Sequence, residues 1–186
     1  MKSGFILRCR QAAGILNFFL YRLFYRSSFA ARNLSVIMFS CQVNIDGNGR
    51  LVFNGKVKMA PHSRLASKGR LEIGESFTLN SYSRIVAFDD ISIGSNVTIA
   101  QFVSILDHDH RAVVRGTGAD REMHFDGYSC APISIGSNVW IADKVTILKG
   151  VKIGSNVIIG ANSVVTSDIP DFSVAVGSPA KVVKSL

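Results

Sequence analysis

The sequence predicts an all-β fold, a parallel β-helix in which three short strands complete each coil. A six-residue phrase repeats without a gap from residue 135 to residue 170, and an aliphatic residue opens each copy. These hexad openers are Ile135, Ile141, Ile147, Ile153, Ile159 and Val165. A period of six fits neither a helix, with 3.6 residues per turn, nor a single strand, with a period of two. A short strand followed by a tight corner has this period, and three such units close one coil of a triangular solenoid.

A weaker form of the repeat extends towards the N-terminus. Its openers are Ile45, Leu51, Val57, Leu65, Ile73, Leu79, Ile85, Ile93, Ile99 and Ile105. Three of the steps between these openers are eight residues long, so the corners there should hold two extra residues, which surface loops tolerate. We therefore predict one continuous β-helix over residues 43–170. Residues 171–186 are expected to return as a strand over the last coil, bounded by prolines.

The segment before the repeat, residues 1–42, is basic and apolar. Its charged residues are Lys2, Arg8, Arg10, Arg22, Arg26 and Arg32, with no acidic residue before Asp46. The pattern predicts an amphipathic helical segment. Its uncharged run over residues 11–21 is too short to span a bilayer, and arginines interrupt the apolar core that a signal peptide needs. Two interpretations stay open: the segment caps the solenoid, or residues 1–34 lie on an anionic membrane surface.

Composition limits the function classes. The chain has 186 residues and a net charge of +8, but the residues after the N-terminal segment are nearly balanced in charge. They contain no nucleic-acid-binding motif, so nucleic acid is not an expected partner. Cys9, Cys41 and Cys130 are odd in number and widely spaced. This pattern is typical of reduced thiols in a cytoplasmic protein and not of a disulfide frame or a zinc cluster.

The repeat fails at one place, the hexad that opens with Ile105 and reads ILDHDH. Leu106 stands where a small residue is expected, and Asp109 stands at an inward position. An unpaired carboxylate inside a narrow apolar coil would be very costly, so the chain should leave the coil here. We predict an excursion loop over residues 107–132. Loops of this length inside a regular fold are usually functional or disordered, and the two histidines and two aspartates at its start favour function.

The hexads, together with NVWIADKVTILKGVKIG and VVTSDIPDFSVAVGSPAKVV, resemble the left-handed β-helix acyltransferases. Within them the sequence is similar to the maltose and galactoside O-acetyltransferases and to enzymes that acetylate bacterial surface polysaccharides. The resemblance covers residues 70–184 approximately. It implies a left-handed coil, a homotrimer with active sites between subunits, and acetyl-CoA as co-substrate. The expected function is O-acetylation of a sugar hydroxyl of a surface polysaccharide or its precursor.

Acetyl transfer to a hydroxyl needs a base, and histidine is nearly half-ionised near neutral pH. The resemblance places the family's catalytic histidine on His110 and its substrate-contacting asparagine on Asn80. His108 remains an alternative base, because the length of the loop does not determine which imidazole faces the cleft. Asp107 or Asp109 is expected to orient the imidazole, although a backbone carbonyl would serve equally well.

Two further observations bear on the acceptor and on metals. Arg111 follows His110 where the galactoside branch has proline, which favours a polysaccharide acceptor over a small disaccharide. Histidine and aspartate are also metal ligands, so a metal site is a third interpretation. His62 and His124 do not match the three-histidine pattern of the β-helical carbonic anhydrases, and no metal is expected.

The resemblance also assigns the donor side. The residues expected to contact acetyl-CoA are Trp140, Ala142, Asp143, Ala161, Thr166, Lys181 and Lys184. A backbone N–H near residues 142–143 would stabilise the oxyanion, and the two lysines would meet the CoA phosphates. Trp140 would line the cleft, or pack as a corner aromatic between subunits. Asp143 and Ser167 depart from the family, which has a small polar residue at the first position and often lysine at the second.

Two other function classes remain open. An N-acetyltransferase acting on an amino-sugar nucleotide would also need a base, but such enzymes often carry an N-terminal nucleotide-binding domain, for which residues 1–40 are too few. A non-enzymatic solenoid scaffold would not need the break in the repeat.

Overall fold

The computed structural model describes residues 2–186, and it describes side chains from residue 9 onward. One helix, α1 (Lys2–Tyr25), is followed by short strands that wind through about seven coils. Almost all strand pairs in the coils are parallel, and each strand pairs with its equivalents one coil before and one coil after. The predicted parallel β-helix is confirmed.

Three sheets form the walls of the solenoid. Sheet A consists of β1 (Phe29–Ala31), β4 (Arg50–Phe53), β7 (Arg70–Ile73), β10 (Asp90–Ile93), β15 (Ile133–Ile135) and β18 (Lys152–Ile153). Sheet B consists of β2 (Val36–Ile37), β5 (Val57–Met59), β8 (Phe77–Leu79), β11 (Thr98–Ile99), β16 (Trp140–Ile141), β19 (Ile158–Ile159), β21 (Ser173–Val176) and β22 (Lys181–Ser185). Sheet C consists of β3 (Gln42–Ile45), β6 (Arg64–Ser67), β9 (Arg84–Ala87), β12 (Ser104–Leu106), β17 (Thr146–Ile147) and β20 (Val164–Val165).

The hexad openers fill the interior. Ile73, Ile93, Ile135 and Ile153 stack in register along sheet A, and each is almost completely buried. Their neighbours along each strand point outward, because successive side chains of a strand alternate between its faces. The openers predicted from the sequence are buried, apart from Ile45, which is partly buried at the first coil.

The solenoid begins and ends outside the predicted bounds of 43 and 170. Phe29 and Ile37 are buried inward-facing residues of the first coil, and β1 and β2 pair with β4 and β5. The helical part of the N-terminal segment therefore ends at Tyr25. At the other end, β21 pairs in parallel with β19 and continues sheet B to Val176. The strand β22 then returns antiparallel to β21.

One face of α1 covers the open end of the first coil. The buried Asn17 donates hydrogen bonds from Nδ2 to the carbonyls of Ile37 (3.0 Å) and Met38 (3.1 Å). The Tyr21 hydroxyl donates to the Cys41 carbonyl at 3.0 Å. Burial raises the pKa of Tyr21, which keeps the hydroxyl protonated as a donor. The helix thus satisfies backbone carbonyls that have no further coil to pair with, and in this respect it acts as a cap.

The opposite face of α1 is apolar and exposed. The exposed side chains there are Leu16, Phe19, Leu20, Leu23 and Phe24. The side chains of Lys2 and Arg8, which belong to the predicted basic segment, lie outside the described residues. Within the part of the chain that the structure describes, no helix is both long enough and apolar enough to cross a bilayer.

The excursion from the solenoid is a β-hairpin. It consists of β13 (His108–Arg115), a 3₁₀ turn (Gly118–Asp120) and β14 (Glu122–Cys130), and the two strands are antiparallel. Nearly all of its side chains are exposed, which leaves little apolar burial to signal a strand in the sequence. The chain re-enters sheet A at Ile133. We call residues 108–130 the hairpin arm.

Candidate active site

A cavity of about 540 Å³ lies between the base of the hairpin arm and the outer face of sheet C. Its lining residues are Asp46, Arg64, Ala66, Ser67, Lys68, Arg84, Val86, Phe88, Leu106, His108, Asp109 and His110. We call it the arm cavity. It brings the two predicted histidines together with the outward side chains of three neighbouring coils.

The outward side chains of sheet C form columns along the solenoid, because the register is the same from coil to coil. Arg64 is the register partner of Arg84, and Arg84 is the partner of Ser104. In the next column Ala66, Val86 and Leu106 lie in line. Since neighbouring strands are about 4.8 Å apart, side chains within one column are in close reach of each other. The cavity floor is therefore apolar, with an arginine column at one edge.

Asp107 anchors the hairpin arm to the solenoid. Its side chain is completely buried, and it accepts hydrogen bonds from the backbone N–H groups of Phe88 (2.8 Å) and Asp89 (2.8 Å). The carboxylate is stable in the interior because these N–H groups of the corner before β10 satisfy it. Asp109, by contrast, stays out of the coil as expected and pairs with Lys149 at 2.7 Å.

His108 is held in a defined orientation. Its Nδ1 lies 3.2 Å from Oδ1 of Asp107, and its ring stacks on Phe88 with centroids 3.7 Å apart. Lys68 Nζ lies 4.3 Å from the centroid of the same phenyl ring. If Nδ1 carries the proton and donates to Asp107, Nε2 holds the lone pair that a base requires. Of the two predicted orienting carboxylates, Asp107 contacts His108 and Asp109 does not.

His110 is the more accessible of the two histidines. Its ring lies 4.9 Å from that of Tyr128 and 6.0 Å from that of Phe125, both on β14. Among the described side chains it has no hydrogen-bond partner, so both ring nitrogens are free to meet a substrate. The geometry therefore leaves both histidines available for acid–base chemistry, one oriented by a carboxylate and one exposed.

Asn80 and Trp140 are predicted site residues that lie elsewhere on the chain. Asn80 sits at the corner between sheets B and C, where its Nδ2 donates to the Ile99 carbonyl at 2.8 Å. Trp140 is 51% exposed on sheet B and lines a separate cavity of about 530 Å³ beside Thr98. Within the described part of the chain, neither residue lines the arm cavity.

The predicted oxyanion donor is a backbone N–H near residues 142–143, and the hydrogen bonds of these two residues differ. The Ala142 N–H donates to the Ile159 carbonyl at 2.9 Å and belongs to the sheet ladder. The Asp143 N–H has no hydrogen-bond partner among the described residues. The Asp143 carboxylate accepts the backbone N–H of Gln101 at 2.8 Å, which orients this corner. Asp143 is thus the residue whose amide is free to bind an oxyanion.

The remaining predicted donor-side residues are exposed on the last coils. Ala161 and Thr166 flank β20, and Lys181 and Lys184 lie on β22. In the strand order of sheet C, β17 and β20 lie on one side of β12, whereas β9 and β6 lie on the other. The hairpin arm leaves directly after β12, so along sheet C it separates Ala161 and Thr166 from the arginine column, while Lys181 and Lys184 lie on sheet B.

Nine of the twelve lining residues of the arm cavity were not predicted as site residues, among them Arg64, Lys68, Arg84 and Phe88. A signal for them is present in the sequence. Arg64 and Arg84 are twenty residues apart, as are Lys68 and Phe88, and twenty residues is the length of one coil in this part of the chain. The spacing predicts that each pair lies on one face, but it does not reveal that the hairpin arm faces them.

The structure bears on metal binding and thiol chemistry at the side chains that it describes. These residues contain no cluster of three or more histidine, cysteine or acidic side chains that would hold a metal ion. Burial raises the pKa of the Cys41 thiol. Partial burial, together with the carboxylates of Asp107 and Asp89, raises the pKa of Cys130. Both thiols are therefore poor candidates for a nucleophile at neutral pH, since the thiolate is the reactive form.

Sequence comparison connects the chain to known transferases. The family model "Bacterial transferase hexapeptide (six repeats)" matches residues 132–167. The chain is 30% identical over 168 residues to WbbJ of Escherichia coli K12, named for O-acetyl transfer in lipopolysaccharide biosynthesis, covering 89% of this chain and 83% of that protein. It is 41% identical over 116 residues to galactoside O-acetyltransferase of E. coli K12, covering 61% and 53% of the two chains. It is 38% identical over 120 residues to a Mycobacterium tuberculosis protein named as an acetyltransferase, covering 64% of this chain but 39% of that protein.

Solved structures show the same architecture. Galactoside acetyltransferase in complex with coenzyme A superimposes with a TM-score of 0.58 at 33% identity, covering 72% of this chain and 65% of that chain. The polySia-specific acetyltransferase NeuO superimposes with a TM-score of 0.58 at 23% identity, covering 86% and 87% of the two chains. At that identity the second likeness concerns the fold alone.

Proposed function

Because the chain belongs to the hexapeptide-repeat acetyltransferase family, we propose that it transfers the acetyl group of acetyl-CoA to a saccharide hydroxyl. The acceptor in this proposal is a surface polysaccharide or its precursor. The observation that carries the proposal is the arm cavity, where His108 and His110 face an open apolar floor. The match to WbbJ over most of both chains supports this acceptor class, as does the relation to a galactoside O-acetyltransferase.

In the proposed mechanism His110 is the general base. Its imidazole takes the proton of the acceptor hydroxyl while the oxygen attacks the thioester carbon. The Asp143 N–H, which has no hydrogen-bond partner among the residues that the structure describes, stabilises the oxyanion of the tetrahedral intermediate. The C–S bond then breaks, and the imidazolium returns its proton to the departing thiolate. His108 is a second candidate for the base, favoured by its contact with the Asp107 carboxylate.

The two substrates approach from opposite directions along the solenoid in this proposal. The residues proposed to contact acetyl-CoA follow β12 in the chain and lie on the side of β17 and β20. Asn80, proposed to hold the sugar, precedes β9 on the other side of β12. The thioester and the hydroxyl would meet at the base of the hairpin arm, which agrees with the position of the histidines.

We further propose a homotrimer with active sites between subunits. Trp140 and Asn80 are exposed or partly exposed on surfaces apart from the arm cavity. A neighbouring copy of the chain would bring its own Trp140 or Asn80 against the cavity. The exposed hairpin arm, which extends from the body, is suited to reach such a neighbour.

The chemistry of the product separates O-acetylation from the alternative N-acetylation. With acetyl-CoA and an oligosaccharide mixture that contains both free hydroxyls and amino sugars, we expect an ester product that alkaline hydroxylamine cleaves. Release of CoA would be followed with a thiol reagent, and the acetylated sugar by mass spectrometry before and after hydroxylamine. An acetyl group that resists hydroxylamine would instead identify an amide and favour the N-acetyltransferase.

The outer face of α1 is proposed as a contact with an anionic membrane surface. Its exposed apolar side chains recur at helical spacing, and they include Phe19 and Phe24. Arg10, Arg22 and Arg26 are exposed on or directly after the helix, and no acidic residue lies in the segment. Apolar area together with basic charge is the combination that binds a helix to anionic lipid. The capping contacts use the opposite face, so both interpretations of this segment are compatible.

Binding to vesicles tests this contact. The protein should sediment with vesicles that contain phosphatidylglycerol, and much less with pure phosphatidylcholine or at high salt, because salt screens the attraction. Replacing both Phe19 and Phe24 by serine should reduce binding by roughly tenfold or more, since each removes an apolar side chain from the interface. The control is Phe125→Ser, which removes an exposed phenylalanine from the hairpin arm. Equal binding of all variants would exclude the α1 face.

A further inference from the structure

We propose that the acceptor carries an acidic group, a carboxylate or a phosphate, which Arg64 and Arg84 bind at the edge of the arm cavity. This inference rests on the proposed function and names the chemical class of its acceptor. Both arginines line the cavity and are exposed. The planar guanidinium forms paired hydrogen bonds with a carboxylate or a phosphate, which makes it suited to this task.

Within the described part of the chain, the two arginines are adjacent like charges without a compensating partner. They are register neighbours on the same face of sheet C, an arrangement that destabilises a sheet. Among the described residues neither forms an ion pair, and the one side-chain hydrogen bond is from Arg84 Nε to the neutral Ser104 hydroxyl at 3.1 Å. A repulsive pair of this kind is relieved when an anion binds between the two groups.

Sheet A contains a similar pair of stacked arginines, but there carboxylates lie beside one of the two. Arg50 and Arg70 are also register neighbours at the start of parallel strands. There Arg70 forms ion pairs with Glu72 and with Asp90. The solenoid thus supplies carboxylates beside one arginine column and leaves the other open to the arm cavity.

The other charges of the arm cavity leave an excess of positive charge. Lys68 is a third cation in the lining, and the carboxylates are Asp46 and Asp109. Asp109 is neutralised by Lys149. Asp46 directly follows the end of β3, and Lys68 directly follows the end of β6, so these two residues lie at the same edge of sheet C. Arg64 and Arg84 lie at the opposite edge, where β6 and β9 begin.

The dimensions of the cavity fit one sugar unit. Ala66, Val86 and Leu106 form the floor between the arginine column and His108. Arg84 and the floor residue Val86 are two residues apart on β9, which corresponds to about 7 Å along the strand. A sugar ring can lie with its C–H face on this floor, its acidic substituent at the arginines and a hydroxyl at the histidines.

The position of the arginines argues against the phosphates of CoA as their ligand. Ala161 and Thr166, proposed to contact CoA, flank β20 beyond β17, and Trp140, Lys181 and Lys184 lie on sheet B, whereas Arg84 and Arg64 lie on β9 and β6. The hairpin arm leaves the sheet between these two groups. Within one chain, this separation favours the acceptor over CoA as the source of an anion held by Arg64 and Arg84.

Matched pairs of acceptors test the inference. Kinetic constants would be measured for p-nitrophenyl β-glucuronide against p-nitrophenyl β-glucoside, and for glucose 1-phosphate against methyl glucoside, so that one pair tests the carboxylate and the other the phosphate. Binding of the same four sugars would be measured by NMR titration without acetyl-CoA. The variants are Arg64→Gln and Arg84→Gln, and the control is Arg50→Gln, an exposed arginine at the equivalent place in sheet A.

We expect one acidic sugar to exceed its neutral partner in kcat/KM and in affinity by about tenfold or more, as charge-assisted hydrogen bonds allow. Arg64→Gln and Arg84→Gln should each reduce that acidic-to-neutral ratio by about tenfold, and Arg50→Gln should leave it unchanged. Neutral sugars that are used and bound equally well would overturn the inference while leaving O-acetyl transfer intact. A rise in the KM of acetyl-CoA, or loss of the oligomer, in the two cavity variants would also overturn it, since the arginines would then serve CoA or a subunit contact. If no sugar is acetylated, the proposed function fails, and the binding preference alone decides the inference.

Discussion

Replacement of His110 by alanine is expected to lower kcat for acetyl transfer by roughly 10²- to 10⁴-fold, because a general base contributes an effect of this size. The KM of acetyl-CoA should change little, since the residues proposed to contact the donor lie on later coils. His110 is exposed on the hairpin arm and is not part of the buried core, so folding should not depend on it. The measurement is a thiol-release assay with a saccharide acceptor, together with direct titration of CoA binding.

Two other histidine variants make this test specific. His124→Ala alters an exposed histidine on β14 of the same hairpin arm, outside the cavity lining, and should retain activity. His108→Ala should have an intermediate effect, because it removes a ring that stacks on Phe88 in the cavity wall. An active His110→Ala protein combined with an inactive His108→Ala protein would move the base to His108, with Asp107 as its orienting carboxylate.

Asp107→Asn is expected to give the largest loss of stability among single polar changes at the site. Both carboxylate oxygens accept backbone N–H groups, from Phe88 and from Asp89. Whichever way the new amide is turned, its NH₂ group takes the place of an oxygen that accepts one of these donors or contacts His108. A buried donor then faces another donor, and the free energy of unfolding should fall by about 2–3 kcal/mol. Denaturant unfolding at a fixed protein concentration measures this loss.

Asp109→Asn is the matched control for that prediction. It makes the same chemical change two residues along the chain, at a side chain that is about half exposed and pairs with Lys149. Exposed ion pairs contribute roughly 0–1 kcal/mol, so the loss of stability should be small. Equal losses for the two variants would mean that Asp107 does not anchor the hairpin arm through its buried hydrogen bonds.

The strands that form the walls of the solenoid were predictable because every coil places the same requirement on its inward-facing residues. A narrow apolar interior requires an aliphatic residue at every inward position, and Ile141, Ile147 and Ile159 meet that requirement six residues apart or a multiple of six apart. The first coil was missed because Phe29 and Ile37 are separated by eight residues and lie next to the apolar residues of α1. Local periodicity cannot distinguish an irregular first coil from the end of a helix.

The hairpin arm was predicted as an excursion but not as a pair of strands. Its register, from His108 opposite Cys130 to Arg115 opposite Glu122, is held by backbone hydrogen bonds between exposed strands. Such strands bury little apolar surface and so leave no alternating pattern in the sequence. The burial of Asp107 was missed for a related reason: its partners are backbone N–H groups of the corner one coil earlier, and backbone donors carry no residue-specific signal.

The sequence by itself determined the parallel β-helix, the place where the repeat fails, and the family to which the chain belongs. These features depend on residue types at regular spacing along the chain. The alternation of inward apolar and outward polar residues that identifies them is set by neighbours only a few positions apart. Only the tertiary structure decided that Asp107 holds His108 and that Lys68, Phe88 and the arginine column share one cavity with the hairpin arm. These arrangements depend on the stacking of successive coils, which brings residues twenty positions apart within one strand spacing of each other.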